Sequence, residues 1–325
     1  MGTVSSDGST CVIGPVFLDV VMSGLAGPPR PGEEQWVSGC AITAGGAANQ
    51  AIAIARLLQA PDTDDSSRPR LVATIGQDRA GHLVADILTS EGIDLRWASR
   101  CDHQNVTTSL AFNGDRAMVT YGSESVSLLA DVIQGDHPAA LVADMNAINA
   151  NHDSIAQWGD VWVLGDVGWD PSGQWDINNL RGLDVTDVFT PNETEAMRYT
   201  RTDSVEEAAR ALSKKVPLVV VTCGPRGAVA CDGTDLFTVP ALDIPVVDPT
   251  GAGDVFSAGL TFAHHAGLQP RAAVSLAIAA SNYTVRFPGG SSSAPTGSDL
   301  HHWVTSLSRD LTKGLDLTFL DVLNV

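Results

Sequence analysis

Short β-branched and apolar runs recur along the chain, separated by longer stretches whose apolar positions fall three and four residues apart. The run TCVIGPVFLDVVM (10–22) predicts a strand leading to an acid, Asp19. GPPRPG then interrupts the chain, and EQWVSGCAIT (34–43) predicts a second short strand. AGGAANQAIAIARLLQA (44–60) opens on glycines and continues apolar at helical spacing, which predicts a loop feeding a buried helix. PDTDDSSRP (61–69) reads as a polar surface loop ahead of the strand RLVATIG. DRAGHLVADILTSEGI predicts an amphipathic helix stopped by Gly92.

TTSLAFNGDRAMVTY (107–121) differs in kind, with two alternating runs around Asn113-Gly114, a strong signal for a β-hairpin with a two-residue turn. AALVADM, DVWVLGDV, VTDVFTP and PLVVVTCG supply further strands with helical stretches between them, a pattern for a mostly parallel sheet covered by helices. DVFSAGLTFAHHAG and PRAAVSLAIAASNYTV both read as helices. There is no internal repeat and no long linker. One α/β domain over 1–325 is expected, with a small β element from about 16–42 and 105–121.

Composition narrows the partners. Nineteen Lys and Arg against 38 Asp and Glu give a net charge of −19, a field that repels nucleic acid and acidic lipid. No run approaches the ~20 apolar residues of a membrane span. The amino terminus lacks the regions of a secretory signal, and its loose Met-Gly-x-x-x-Ser acylation pattern has no basic neighbours. Cys11, Cys40, Cys101, Cys223 and Cys231 form no CxxC pair, which fits reduced thiols in a cytoplasmic protein.

The chemistry concentrates in VVDPTGAGDVFSAG (246–259). A helix starting there leaves its first N–H groups without intrahelical partners, and its dipole favours an anion. Asp254 beside such an anion site suits an acid that takes a proton from a hydroxyl while the amides hold charge on a transferred phosphoryl group. The alternative is a helix N-cap, a common place for Asp. No Walker A string occurs, and Gly251 and Gly253 are followed by Phe256 where a dinucleotide fingerprint needs glycine. A nicotinamide-dependent dehydrogenase is disfavoured on that ground.

DPTGAGD, together with TPNETEA (190–196), VTCGPRGA (221–228) and AGGAANQA (44–51), resembles the ribokinase-like PfkB family of carbohydrate kinases. The four motifs stand in the family's order and span about residues 12–290. The resemblance implies a three-layer α/β/α sandwich with a small β lid, and homodimers pairing through that lid. It implies ATP-dependent phosphorylation of a hydroxyl on a sugar or sugar-like molecule, with a nucleoside kinase or a catalytically silent sugar- or nucleotide-binding regulator as alternatives. Asp254 matches the base, and Gly251, Ala252 and Gly253 match the anion hole. Asn192 matches the ATP site and Glu195 the Mg²⁺ site, acting through water; a polar helix cap is the other reading of this pair. Thr222, Gly224 and Gly227 match the nucleotide loop.

Asp19, Gly45, Gly46 and Asn49 match positions that grip substrate hydroxyls, although a solvated turn also suits Asp19. Asp248 fits one side of a monovalent-cation (K⁺) site, with RFPGGSSSA (286–294) as the other; a buried acid bonded to backbone N–H groups fits it equally. The chain departs from the pattern at Ala47-Ala48, where relatives often carry Lys-Gly, which puts ribose itself in doubt. Pro249 stands where Thr is common, and GDVGWDPSGQWD (165–176) matches no motif. Asp166 and Asp170 fall at a strand end in that stretch, where α/β sheets place ligands and where substrate or metal would meet them; an acidic surface loop fits them equally.

Overall fold

The computed structural model describes residues 9–58, 68–112, 115–123, 127–133 and 137–323. The acylation pattern, most of the 61–69 loop and the Asn113-Gly114 turn lie outside these residues. Among the described residues the strands are β1 (Thr10–Ile13), β2 (Val16–Ser23), β3 (Gly39–Gly46), β4 (Arg70–Val72), β5 (Thr74–Gly76), β6 (Ser99–Cys101), β7 (Asn105–Phe112), β8 (Asp115–Tyr121), β9 (Ala140–Asp144), β10 (Trp162–Asp166), β11 (Val188–Phe189), β12 (Leu218–Thr222), β13 (Ala228–Cys231) and β14 (Leu236–Val239). The helices are α1 (Ala47–Leu57), α2 (Arg79–Ser90), α3 (Leu129–Val132), α4 (Met145–Ala150), α5 (His152–Trp158), α6 (Glu193–Thr200), α7 (Val205–Leu212), α8 (Ala252–His265), α9 (Pro270–Thr284) and α10 (Gly297–Ser306).

The main sheet runs β14-β13-β12-β11-β10-β9-β1-β4. It is parallel from β4 to β12, and β13 and β14 close it antiparallel. Its strands are buried on both faces, so they read as continuous Val/Ile/Leu/Ala runs rather than as alternation. Alternate strand residues belong to two separate cores. Val12, Val142, Leu164 and Val220 face α1, α2, α8, α9 and α10, while Ile13, Leu141, Val163 and Val219 face α4, α5, α6 and α7. These two cores define the three-layer α/β/α sandwich.

A second sheet, β3-β2-β7-β8, stands apart from the first. Eight residues of β2 lie opposite eight of β3, from Val16↔Gly46 to Ser23↔Gly39. This register sets the extent of β3, and it corrects the sequence reading in two ways. Trp36 lies upstream of the strand and is 90% exposed, and Gly45-Gly46 end the strand instead of forming a loop. β7 and β8 pair antiparallel, as the alternation of 107–121 requires.

Because side chains alternate along a strand, the two faces of this sheet differ. One carries Asp19, Thr43, Thr107 and Ser109, and the other carries Ile42, Val119 and Tyr121, which are exposed.

α8 and α9 pack closely because Gly259 brings the backbones together: a Cβ there would lie 2.7 Å from Ala277 Cα. Gly259→Val is expected to force the helices apart and destabilise the fold by about 2 kcal/mol. Urea titration should show a lower midpoint with an unchanged slope; an unaltered midpoint would contradict this packing.

Candidate active site

The carboxyl ends of the parallel strands carry acids. Asp144 ends β9, Asp166 ends β10, and the two lie directly opposite each other in register. They open on a cavity of about 370 Å³ that is also lined by Gly46, Gln50, Trp169 and Asp254. A larger cavity of about 810 Å³ separates the polar face of the second sheet, at Val21, Ser23 and Ser109, from residues 246–250 and 288–289.

Asp254 occupies the first turn of α8, and Gly251 is the N-cap, in the left-handed region at φ 72°. The N-cap reading of Asp254 is therefore corrected. Ser291 N lies 3.0 Å from where a Gly251 Cβ would sit, so a side chain would crowd this turn as well as strain it. First-turn N–H groups have no carbonyl four residues back, although Ala252 N–H bonds Pro249 O at 3.2 Å. A Cβ on Gly253 would meet nothing within 4 Å, which leaves open space at the helix start.

Asn49, expected to grip substrate, is turned toward Asp254. Its Nδ2 donates to Asp254 Oδ2 at 3.0 Å, and its Oδ1 accepts from Ser291 Oγ at 2.6 Å. Asn49 and Ser291 are buried, while Asp254 is half-buried and reaches the cavity wall. Ser291 had no motif to mark it.

Asp19 and Gly45 meet across β2 and β3. A Cβ on Gly45 would fall 1.8 Å from Asp19 Oδ2, so the glycine makes room for the carboxylate. Of the four residues expected around substrate, Gly46 lines the smaller cavity, with Ala47 next to it. Asp19 and Gly45 do not line it, and they face the cleft under the second sheet.

Asn192 and Glu195 form a reciprocal capping box on α6, with Glu195 N–H to Asn192 Oδ1 at 3.0 Å and Asn192 N–H to Glu195 Oε2 at 2.8 Å. The helix-cap reading of this pair therefore holds in the fold. Asn192 bridges to Thr222 at the end of β12, which joins the two nucleotide-site motifs. Gly224 and Gly227 both have positive φ, and a Cβ on Gly227 would lie 2.1 Å from Val239 O. Arg226 in this loop pairs with Glu193 of α6. None of Asn192, Thr222, Gly224 and Gly227 lines either cavity. Asp248 Oδ1 accepts from Thr250 N–H at 2.9 Å and Oδ2 from Gly289 N–H at 3.1 Å, tying the turn to the 286–293 segment.

The acids shape each other's charge. Burial pushes the Asp166 carboxyl well above the usual carboxylate range, and Asp254, Glu195 and Asp144 push it further. Burial also raises Glu195, against the hydrogen bonds from Asn192. Both shifts favour the protonated form relative to an exposed carboxyl.

The sandwich, its acids at the carboxyl ends of parallel strands and the open start of α8 define a small-molecule enzyme of the α/β class. A family model described as pfkB family carbohydrate kinase matches residues 31–297, and the chain belongs to that family. The ribokinase of Lactococcus lactis is 26% identical over 296 residues, covering 89% of this chain and 94% of the relative. The 1-phosphofructokinase of Haloferax volcanii is 25% identical over 262 residues, 76% of this chain and 81% of the relative. The fold matches Arabidopsis thaliana ribokinase, solved with ribose and ATP, at a TM-score of 0.72 and 23% identity, over 93% of this chain and 100% of that one.

A carboxyl raised in the folded state costs stability as pH rises. Below about pH 4 both folded and unfolded forms hold the proton; above it the unfolded chain loses the proton first, so stability falls toward neutrality. Asp166→Asn should therefore raise Tm at pH 7, with the gain vanishing by about pH 3.5. Thermal melts across that range check the sign, and a lower Tm at pH 7 would refute the assignment.

Proposed function

We propose that this carbohydrate kinase uses Asp254 as the base that takes the proton from an acceptor hydroxyl as the phosphoryl group of ATP is transferred to it. The observation that carries this reading is the position of Asp254, in the first turn of α8 and on the wall of the strand-end cavity, with Oδ2 held by Asn49. Holding one carboxylate oxygen fixes the direction of the other, and a positioned base contributes rate only when its geometry is set beforehand.

In this reading the backbone N–H groups of Gly251, Ala252 and Gly253 stabilise the phosphoryl oxygens. Gly46, on the wall of the strand-end cavity, and Asp19 and Gly45, on the adjoining face of the second sheet, bind acceptor hydroxyls from two sides. That sheet acts as the lid, and its polar face suits closure over a hydroxylated substrate while water is excluded. Its opposite face, with Ile42, Val119 and Tyr121 exposed, supports pairing of two copies through the lid. Asn192, Thr222, Gly224 and Gly227 hold ATP.

Mg²⁺ fits the donors present. Among the described residues no group of three His, Cys, Asp or Glu could hold a metal, and Mg²⁺ characteristically binds through one or two carboxylates, waters and phosphate oxygens. Glu195 would hold it through water, and when bound it neutralises phosphate charge. The two backbone bonds to Asp248 favour bracing of the turn over a K⁺ ligand.

Asp254→Asn keeps the bond to Asn49 within reach of a side chain of the same shape but cannot take a proton. It should lower kcat by about 10²- to 10⁴-fold while ATP affinity stays within about threefold, since Asp254 makes no ground-state bond to ATP in this scheme. Steady-state kinetics and nucleotide titration separate the two. Equal turnover by the variant would remove Asp254 from the base role.

A further inference from the structure

The stretch GDVGWDPSGQWD matched no motif, yet the fold brings it to the strand-end cavity. Trp169 lines that cavity and is 64% exposed, while Trp175 is buried. The two rings meet edge to face at 5.2 Å, and Trp175 meets Tyr199 in the same way at 5.2 Å. Asp170 folds the loop around this stack, accepting from Ser172 Oγ at 2.9 Å and from Trp175 N–H at 2.7 Å. Trp175 is held there at φ 50°, a conformation that bulky residues rarely adopt without outside support. The loop is thus built to hold an aromatic face at the mouth of the cavity.

The charge of the cavity is one-sided. Asp144, Asp166, Asp170 and Asp254 line it, and among the described residues no Arg, Lys or His does. Two cations are described beside the loop, Arg198, stacked over Trp169 and Trp175 at 4.8 and 5.1 Å, and Arg201, which donates to Gln174 O, and neither lines the cavity. The amino terminus of α1 opens nearby, but its first N–H is bonded to Pro15 O at 2.9 Å. An anionic group on the acceptor would meet like charge with no partner, whereas hydroxyls and ammonium groups would find acceptors.

We infer that the acceptor is a polyhydroxylated molecule without phosphate or carboxylate, neutral or cationic, seated with an apolar face on Trp169. This rests on the kinase reading above and deepens it. It also separates the chain from its 1-phosphofructokinase relative, whose name specifies a phosphorylated fructose as the acceptor.

The test uses the full chain and matched pairs: fructose with fructose 1-phosphate and fructose 6-phosphate, ribose with ribose 5-phosphate, glucosamine with glucosamine 6-phosphate, and adenosine with AMP. ATP consumption and quenching of tryptophan fluorescence are both measured. The expected result is turnover of an unphosphorylated member, with kcat/KM for its phosphorylated partner lower by roughly a hundredfold or more. Trp169→Ala should raise KM for that acceptor about three- to tenfold with kcat little changed, and Trp169→Phe, which keeps a ring, should restore KM.

Comparable or better turnover of a phosphorylated member overturns the inference and leaves the kinase reading standing. An unchanged KM in Trp169→Ala overturns the stacking role. If no member is turned over, the kinase reading fails on these acceptors, and the fluorescence titration decides the charge preference: tighter binding of the phosphorylated member overturns it, and tighter binding of the unphosphorylated member upholds it.

Discussion

The bond from Asn49 to Asp254 ties together segments 205 residues apart in sequence, and the site depends on it. It exists because α1 is built almost wholly of small and aliphatic residues, Ala47, Ala48, Ala51 and Ala53 among them, that pack into the same core as α8. Larger side chains on that face would hold the two helices apart and take the Nδ2 donor out of range. Ser291 completes the arrangement by donating to the Asn49 carbonyl oxygen, and a flipped amide would turn that oxygen onto the Asp254 carboxylate, acceptor against acceptor. A buried polar group satisfied on both sides has one orientation, and it passes that orientation to the carboxylate.

Around this fixed point the fold concentrates negative charge. Parallel strands deliver their carboxyl ends to one edge of the sheet, and here two adjacent strands end in Asp144 and Asp166 in direct register. Ionising every acid in such a cleft would be costly, which is why burial and its neighbours keep Asp166 protonated above the usual range. A neutral Asp166 can donate a hydrogen bond, whereas an ionised one can only accept. The same concentration of charge leaves the cavity unsuited to anions except where helix amides or a bound cation offset it.

The second sheet shows how a single alternation serves two surroundings. Asp19 and three hydroxyl residues face the cleft, while Ile42, Val119 and Tyr121 face away. The glycine opposite the acid is part of this design, because the carboxylate of Asp19 occupies the space that any side chain at position 45 would need.

Much of this was legible in the chain itself. The β-branched runs, the helix stop at Gly92, the alternating runs of 107–121 and the order of the four motifs are local features, decided by backbone preference and side-chain chemistry within a few residues. They sufficed for the sandwich, the family and the position of Asp254 near a helix start. Other features were not legible, because they depend on which distant segments the crossovers bring together. The sequence could not show that Asn49 would bond Asp254, that Asp144 would face Asp166, or that Trp169, Trp175 and Tyr199 would stack at the cavity. Nor could it choose between a cap and a ligand for Asn192 and Asp248, since a side chain has the same donors and acceptors in both roles and only its packed neighbours select the partner. Local chemistry named the reactive groups; the tertiary structure decided which of them meet.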